Sequence, residues 1–169
     1  IGEPQTVSYV RKYLLVADRS NYEFEVPSNV KKEHFELEET YIVNHVSDSN
    51  RLIKLGKNDS FTYSHEIRYD IAGEKIQRKR QITGRDYIEL IEKKDGNKTS
   101  IKKLRQCFLC ERQYYMVETF LNIEPYPSIL RVEVTHENSR TKLPPFLQVL
   151  REVTQEKEYE TWFMAQKDT

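Results

Sequence analysis

Residues 61–69 read FTYSHEIRY, and this stretch decides the fold class. The odd positions carry Phe, Tyr, His, Ile and Tyr, while the even positions carry Thr, Ser, Glu and Arg. An alternation with a period of two is typical of a β-strand with one apolar and one polar face. Strand-like segments also lie on both sides of it in the chain, at residues 8–15, 35–43, 51–55, 75–82, 101–109, 113–120, 130–135 and 151–154.

The connections between these segments are mostly of hairpin length, which favours an antiparallel sheet. A few helices are predicted between the strands. Thr83 is placed to cap a helix that runs to about residue 93, and two further helices are predicted over residues 155–166 and 28–33. The expected fold class is therefore α+β. Because no linker-like tract interrupts the chain, a single domain over residues 1–169 is expected.

The charge of the chain is balanced overall but uneven along its length. Its 169 residues include 27 basic and 27 acidic side chains, which excludes a simple histone-like protein, and no nucleic-acid partner is expected. Residues 75–105, however, hold 11 lysines and arginines against 4 acidic residues. Such a block can form an anion site on a neutral protein. No apolar run is long enough to cross a bilayer, and two cysteines cannot build a disulfide framework, so a cytoplasmic location is expected.

Common catalytic motifs are missing from the sequence. It contains no phosphate-binding P-loop, no G-x-G-x-x-G turn and no H-E-x-x-H zinc motif. Cys107 and Cys110 form a single C-x-x-C pair, whereas a structural zinc site needs four nitrogen or sulfur ligands. We therefore predict ordinary thiols at these positions and assign no catalytic residue.

Lys103 and Arg105 are the most suggestive local feature. They are two positions apart on a predicted strand and therefore share a face, with Leu104 on the other, and Lys12 has a similar setting. Two interpretations remain open. These cations are either exposed charges at the edge of a solvated sheet, or they line a closed barrel, where a cluster of cations requires a compensating anion such as phosphate.

Several short segments follow one another in a distinctive order along the chain. They are Ile1-Gly2-Glu3-Pro4, Arg11-Lys12-Tyr13-Leu14, Thr40-Tyr41-Ile42, Tyr63-Ser64-His65, Lys103-Leu104-Arg105, Leu143-Pro144-Pro145-Phe146 and Glu152-Val153-Thr154. This set resembles CYTH, or triphosphate-tunnel, domains, the fold shared by class IV adenylate cyclases and thiamine triphosphatases. Its first and last segments resemble the C-terminal domain of the TRPL translocation defect protein family, in which the domain follows an ATPase-like P-loop domain. The resemblance implies that the chain is the C-terminal part of a longer protein, whose missing N-terminal domain binds the nucleotide.

The resemblance also implies an antiparallel eight-stranded barrel, or tunnel, with a few helices packed outside. Basic residues inside such a barrel hold phosphate groups, and acidic residues hold Mg²⁺ or Mn²⁺. The phosphate-binding residues that it implies are Lys12, Arg51, Arg68, Arg80, Lys103, Arg105 and Arg131. The residual candidates for a metal are Glu118 and Glu133.

The metal ligands of the family are largely lost here. Its E-x-E-x-K signature aligns with Ser8, Val10 and Lys12, so the lysine is kept and both glutamates are missing. Met116 and Arg131 replace two further acidic residues. Because a hard dication needs several oxygen ligands, the resemblance implies a degenerate site, and no cofactor is firmly expected.

Three functions are compatible with this pattern. The leading hypothesis is a non-catalytic domain that binds a phosphorylated ligand, foremost a phosphoinositide, within a GTP- or ATP-binding regulator of membrane-protein trafficking. Its contact with membranes would be peripheral. The alternative is a Mg²⁺- or Mn²⁺-dependent triphosphatase or adenylate-cyclase-like enzyme acting on a triphosphate. A third hypothesis is a regulatory domain whose barrel serves mainly as a surface for a partner protein.

Overall fold

A computed structural model describes residues 4–6, 9–16, 24–43, 49–136 and 139–167. These residues form mainly antiparallel β-strands with a few short helices, which confirms the α+β class. The strands are β1 Pro4–Thr6, β2 Tyr9–Leu15, β3 Lys32–Tyr41, β4 Ser49–Lys57, β5 Ser60–Ile71, β6 Glu74–Ile82, β7 Ile101–Cys110, β8 Gln113–Phe120, β9 Ser128–Val134 and β10 Val149–Glu152. The helices are α1 Gly84–Ile91, a 3-10 turn Lys157–Tyr159 and α2 Thr161–Met164.

The strand-like segments largely became strands, although residues 42, 43, 135, 153 and 154 lie just outside them. Each of the nine predicted strands overlaps an observed one, from β2 through β10, and only Ser8 of these segments lies outside the described residues. The three-residue strand β1 was not predicted, because it is too short to show any alternation. The predicted helix after Thr83 is confirmed as α1, and the Thr83 hydroxyl accepts a hydrogen bond from the backbone N–H of Asp86 at 3.1 Å.

Two helix predictions are wrong in part or in full. Residues 28–33 form a turn, closed by a hydrogen bond from the N–H of Val30 to the carbonyl of Pro27, and then enter β3. The extended conformation is held there by Lys32, whose Nζ donates to the carbonyl of Phe24 at 2.6 Å and to Oε1 of Gln106 at 3.1 Å. Residues 155–166 form only the 3-10 turn and the four residues of α2.

The described residues divide into two compact units. Unit 1 comprises residues 4–6, 36–43, 49–102 and 160–167, and unit 2 comprises residues 9–16, 24–35, 103–136 and 139–159. The single-domain organisation over residues 1–169 stays a prediction.

Unit 1 is built on the strand order β1-β6-β5-β4-β3. One side of this sheet carries the core residues Ile42, Leu52 and Ile82. The apolar stripe of α1 packs against them, so the helix covers that side of the sheet.

Unit 2 has the strand order β7-β8-β9-β2-β10. Its core lies on one side of the sheet and centres on Phe108, which is 2% exposed and stacks on Tyr115 with ring centroids 5.3 Å apart. Phe24 and Phe146 also pack against Phe108. These apolar residues leave the opposite side of the sheet for polar side chains.

The strand number and pairing differ from the eight-stranded barrel that the resemblance implied. The described residues contain ten strands, of which β1 and β10 are the shortest, with three and four residues. Within each unit, the described pairings run from the first strand to the last without returning to the first. Each unit is therefore an open antiparallel sheet.

Candidate functional site

The polar side of the unit 2 sheet brings four basic residues together. Arg105 on β7 lies opposite Glu118 on β8, and Lys12 on β2 lies opposite Arg131 on β9. Lys103 shares the side of Arg105, because the two residues are two positions apart on β7. We call this side, with Lys12, Lys103, Arg105, Glu118 and Arg131, the basic face.

Two of these cations are buried. Lys103 is 2% exposed and Lys12 is 6% exposed, whereas Arg105 and Arg131 are half-buried. Burying a charge is costly unless another group compensates it. The interpretation as solvated edge charges is therefore wrong for Lys12 and Lys103. Because both lysines are buried, other groups of the protein must compensate their charges.

Glu118 supplies part of the compensation on the basic face. Its carboxylate is 2% exposed, and its Oε2 accepts from Nε and Nη2 of Arg105 at 3.0 and 2.8 Å. Its Oε1 accepts from Nζ of Lys103 at 3.4 Å and lies 3.6 Å from Nη1 of Arg131. The ammonium of Lys103 also lies 4.9 Å from the centre of the Phe120 ring. One carboxylate thus holds three cations of the protein together.

The charge of Glu118 follows from this arrangement. Burial by itself would raise the pKa of its carboxyl, but Lys103, Arg105 and Arg131 together lower that pKa well below its usual range. Glu118 is therefore ionised throughout the physiological pH range. Glu133, the second predicted carboxylate, lies two residues beyond Arg131 on β9 and therefore on the same side of the sheet, but it is exposed whereas Glu118 is buried.

A second charged cluster lies in unit 1, on one side of strands β3, β4 and β5. Arg51 donates from Nη1 to Glu39 at 2.7 Å and from Nη2 to Glu66 at 2.8 Å. Nε of Arg68 donates to the same oxygen of Glu66 at 2.9 Å. Glu39 is 1% exposed and Glu66 is 4% exposed. This cluster places two of the predicted phosphate ligands, Arg51 and Arg68, beside carboxylates.

The titration of this cluster reflects its pairing. Burial opposes ionisation of Glu66, but Arg51 and Arg68 lower the pKa of its carboxyl. Burial also opposes the charge of Arg51, and the carboxylates of Glu39 and Glu66 raise its pKa above the usual value. Burial raises the pKa of the neighbouring Tyr41 to about 12. Glu66 and Arg51 are therefore both held in their charged forms by their partners.

Arg80 does not join either cluster. It lies opposite His65 in the β5–β6 pairing, so it is on the other side of the sheet from Arg51 and Arg68, and it is exposed. Burial and the nearby Arg80 lower the pKa of His65. Of the seven predicted phosphate ligands, the structure thus brings four together in unit 2, brings two together in unit 1 and leaves Arg80 apart.

Sequence reasoning missed the buried acids Glu39 and Glu66. A signal for Glu39 exists, because it shares its parity with the apolar positions Leu37 and Tyr41 and is therefore expected on the same side of β3. Glu66 has no such signal, since only the register that places it opposite Arg51 shows its role.

The residues that could bind a metal are few. Across the described ranges, no group of three or more His, Cys, Asp or Glu side chains is suitably placed to hold a metal ion. Cys107 is buried and Cys110 is half-buried, and both are free thiols. Burial raises the pKa of Cys107, which favours the inert thiol that the sequence predicted.

Comparison with solved structures identifies the fold. The crystal structure of the inorganic triphosphatase NE1496 matches with a TM-score of 0.61 at 18% sequence identity, over 94% of this chain and 97% of that chain. The chain has a CYTH-type fold. A second crystal structure, of the hypothetical protein NE1496, gives the same TM-score and identity over 96% of this chain and 100% of that chain. The PH1819 protein from Pyrococcus horikoshii OT3 matches with a TM-score of 0.50 at 12% identity, over 77% of this chain and 80% of that chain.

Comparisons of sequence add nothing to this fold assignment. No protein-family model and no curated protein matches the chain. Among the described residues, no helix has the length and apolar character required to span a membrane.

Proposed function

We propose that the chain binds a ligand carrying a triphosphate or similar condensed phosphate on the basic face of unit 2. The observation that carries this proposal is the convergence of Lys103, Arg105 and Arg131 around the single buried carboxylate of Glu118, with the buried Lys12 opposite Arg131 on the next strand. These five side chains have a combined charge of +3 when all are ionised. A face of this kind attracts an anion, and the attraction rises with the charge of the anion.

The chemistry of the cations favours phosphate oxygens as the bound groups. Arginine presents a planar fork of N–H donors that suits phosphate, and lysine adds a compact positive charge. Buried or half-buried donors of this kind are less screened than exposed ones. The basic face therefore suits a ligand with several adjacent phosphoryl groups.

A triphosphate is a better candidate than a phosphoinositide. The fold likeness to an inorganic triphosphatase favours a linear triphosphate as the ligand. A phosphoinositide headgroup shares the phosphate chemistry, but neither the fold nor the geometry of the basic face points to a lipid. The N-terminal P-loop domain, its nucleotide, a role in membrane-protein trafficking and a cytoplasmic location stay predictions from the sequence.

Binding experiments with the 169-residue chain test the proposal directly. Calorimetric titration with tripolyphosphate is expected to show saturable binding, weakened by about tenfold or more in a Lys103→Met/Arg105→Gln variant. The matched control is Arg80→Ala/Arg85→Ala, which removes two exposed cations from unit 1 and is expected to bind as the parent does. Absence of tripolyphosphate binding contradicts the proposal. Binding only to phosphoinositide vesicles would favour the lipid hypothesis instead.

Hydrolysis of the bound triphosphate is a second candidate function. The specific observation in its favour is again the fold likeness to an inorganic triphosphatase. Release of phosphate from tripolyphosphate, ATP and thiamine triphosphate, with Mg²⁺ or Mn²⁺ present, tests it. Turnover that is lost in the Lys103→Met/Arg105→Gln variant would establish an enzyme, whereas inertness on all three compounds would leave a binding domain.

A further inference from the structure

We propose that triphosphate binding on the basic face does not use a divalent metal, because cations of the protein occupy the carboxylate that would hold one. This inference rests on the proposed function and specifies which groups neutralise the negative charge of the ligand. Lys103, Arg105 and Arg131 supply that neutralisation permanently. The buried acid of the site then serves as a positioning residue for these cations.

The contacts of Glu118 disfavour a bound divalent metal. Both of its carboxylate oxygens already face cationic groups, Oε2 through two hydrogen bonds from Arg105 and Oε1 through Lys103 and Arg131. A divalent cation would need to approach one of these oxygens to within about 2.0–2.6 Å. It would then stand beside up to three positive groups of the protein, which repel it. Metal binding would require Glu118 to give up these partners.

The other buried carboxylates show the same pattern within unit 1. Glu39 and Glu66 both accept from Arg51, at 2.7 and 2.8 Å. Apart from Glu118, they are the buried carboxylates among the described residues. Each buried acid of the described chain is therefore bound to an arginine, and none of them presents a carboxylate without a cation beside it. The donor set does not fit a hard dication, which needs several oxygen ligands at once.

A change of Arg131, which lies beside Glu118, can test whether protein cations exclude a metal. Arg131 lies opposite Met116 in the β8–β9 pairing, next to Glu118 on the same side of the sheet, and it is half-buried. The change Arg131→Glu replaces the cation beside Oε1 of Glu118 by a second carboxylate. Two neighbouring carboxylates on adjacent strands form the beginning of an oxygen-rich metal site.

Calorimetric titration of tripolyphosphate in EDTA and in excess Mg²⁺ gives the first readout. Mg²⁺ complexes tripolyphosphate and lowers its charge, so a site that relies on protein cations binds the complex more weakly. For the parent chain we expect Mg²⁺ to raise Kd by roughly threefold or more. The Arg131→Glu variant is expected to bind tripolyphosphate more weakly in EDTA and to recover affinity with Mg²⁺. Arg85→Glu, which makes the same charge change at an exposed position of α1, is the control and is expected to behave as the parent does.

Mn²⁺ binding followed by electron paramagnetic resonance gives a second readout that needs no phosphate ligand. We expect no Mn²⁺ site in the parent chain and a gain of Mn²⁺ binding in Arg131→Glu. Circular dichroism checks that each variant is folded, and Arg131→Asp, which also supplies a carboxylate, replaces Arg131→Glu in the Mn²⁺ titration if the latter does not fold. The inference is overturned if Mg²⁺ tightens tripolyphosphate binding to the parent, or if the parent binds Mn²⁺ and loses it on Glu118→Gln.

The two readouts separate failure of this inference from failure of the proposed function. If tripolyphosphate binds the parent chain neither in EDTA nor in Mg²⁺, the proposed function fails. The Mn²⁺ titration still tests the premise about the metal in that case, because it measures directly whether Glu118 can hold a metal ion beside its three cations.

Discussion

Glu118 is a buried carboxylate on which three cations depend. Removing one partner of a buried ion pair leaves the remaining charges without compensation, which is more costly than losing an exposed pair. We expect Glu118→Gln to lower the free energy of unfolding at neutral pH by about 3 kcal/mol, measured by denaturant unfolding. Glu133→Gln is the matched control, because it removes an exposed carboxylate from the adjacent strand β9. It is expected to change the free energy of unfolding by less than about 0.5 kcal/mol. Equal effects of the two changes would contradict the central place given to Glu118.

The pH dependence of stability gives a second test at the same residue. The folded protein holds the pKa of Glu118 below its value in the unfolded chain, which is about 4.3. A carboxyl of this kind stabilises the folded state fully above the unfolded pKa and loses that contribution as the pH falls toward the folded pKa. The stability difference between the parent and Glu118→Gln is therefore expected to be constant from neutral pH to about pH 5 and to shrink in more acidic solution. A difference that grows with acidity would contradict this assignment.

At the scale of elements, α1 depends on a single capping side chain. Thr83 accepts the N–H of Asp86 at 3.1 Å and so satisfies one of the free donors at the helix start. Thr83→Ala is expected to cost about 1 kcal/mol, while Thr83→Ser keeps the hydroxyl and is expected to cost less. Thermal unfolding followed by circular dichroism compares the two. If serine and alanine are equally destabilising, the hydroxyl is not the cause.

The β7–β8 hairpin carries two residues in the left-handed region. Glu111 has a φ of 50° and Arg112 has a φ of 68°, a conformation that side chains with a Cβ adopt at a cost. Two-residue turns of this type favour glycine at the second position. We expect Arg112→Gly to raise stability by about 0.5–1 kcal/mol, and Arg112→Ala to give no gain. Thermal unfolding of both variants measures this, and a loss of stability with glycine would contradict it.

The sequence predicted those elements whose residues repeat over several turns or pleats. The alternation at residues 61–69 predicted β5, and the cap at Thr83 predicted α1. The turn at residues 28–30 was mistaken for the start of a helix, because the strand that follows it involves a contact of Lys32 with Gln106, 74 positions away in the sequence. The last predicted helix was too long for a similar reason, since spacing alone does not show where a helix ends.

Only part of the candidate site could be predicted from the sequence, because the sequence shows strand parity but not strand register. Parity placed Lys103 and Arg105 on one face, because a strand fixes which side each residue takes. The sequence did not show which residue pairs with Arg105, because its pairing with Glu118 depends on the register of β7 against β8. The position of Arg80 also depends on register, because the pairing of β5 with β6 places it on the opposite side of its sheet from Arg68.

For the whole molecule, a net charge of zero accompanies a local excess of positive charge on the basic face of unit 2. A ligand that binds only the folded state raises its melting temperature, and at equal concentrations tighter binding gives a larger shift. We expect the shift at equal concentrations to follow ligand charge, with tripolyphosphate above pyrophosphate and pyrophosphate above phosphate. Added salt is expected to reduce all three shifts. Differential scanning fluorimetry measures the series, and equal shifts for the three anions would argue against an electrostatic site.

The order of strands in unit 2 also bears on how the chain is made. Among the described pairings, β2 pairs with β9 and β10, which follow near the opposite end of the sequence. During synthesis, residues 9–15 therefore leave the ribosome well before either of these neighbours, and the first of them is not available until residues 128–134 have been translated. Their apolar side chains, Tyr13 and Leu15 among them, stay open to association with other nascent chains over that interval. A chain that stops before residue 128 is accordingly expected to aggregate in cells and to be captured by chaperones.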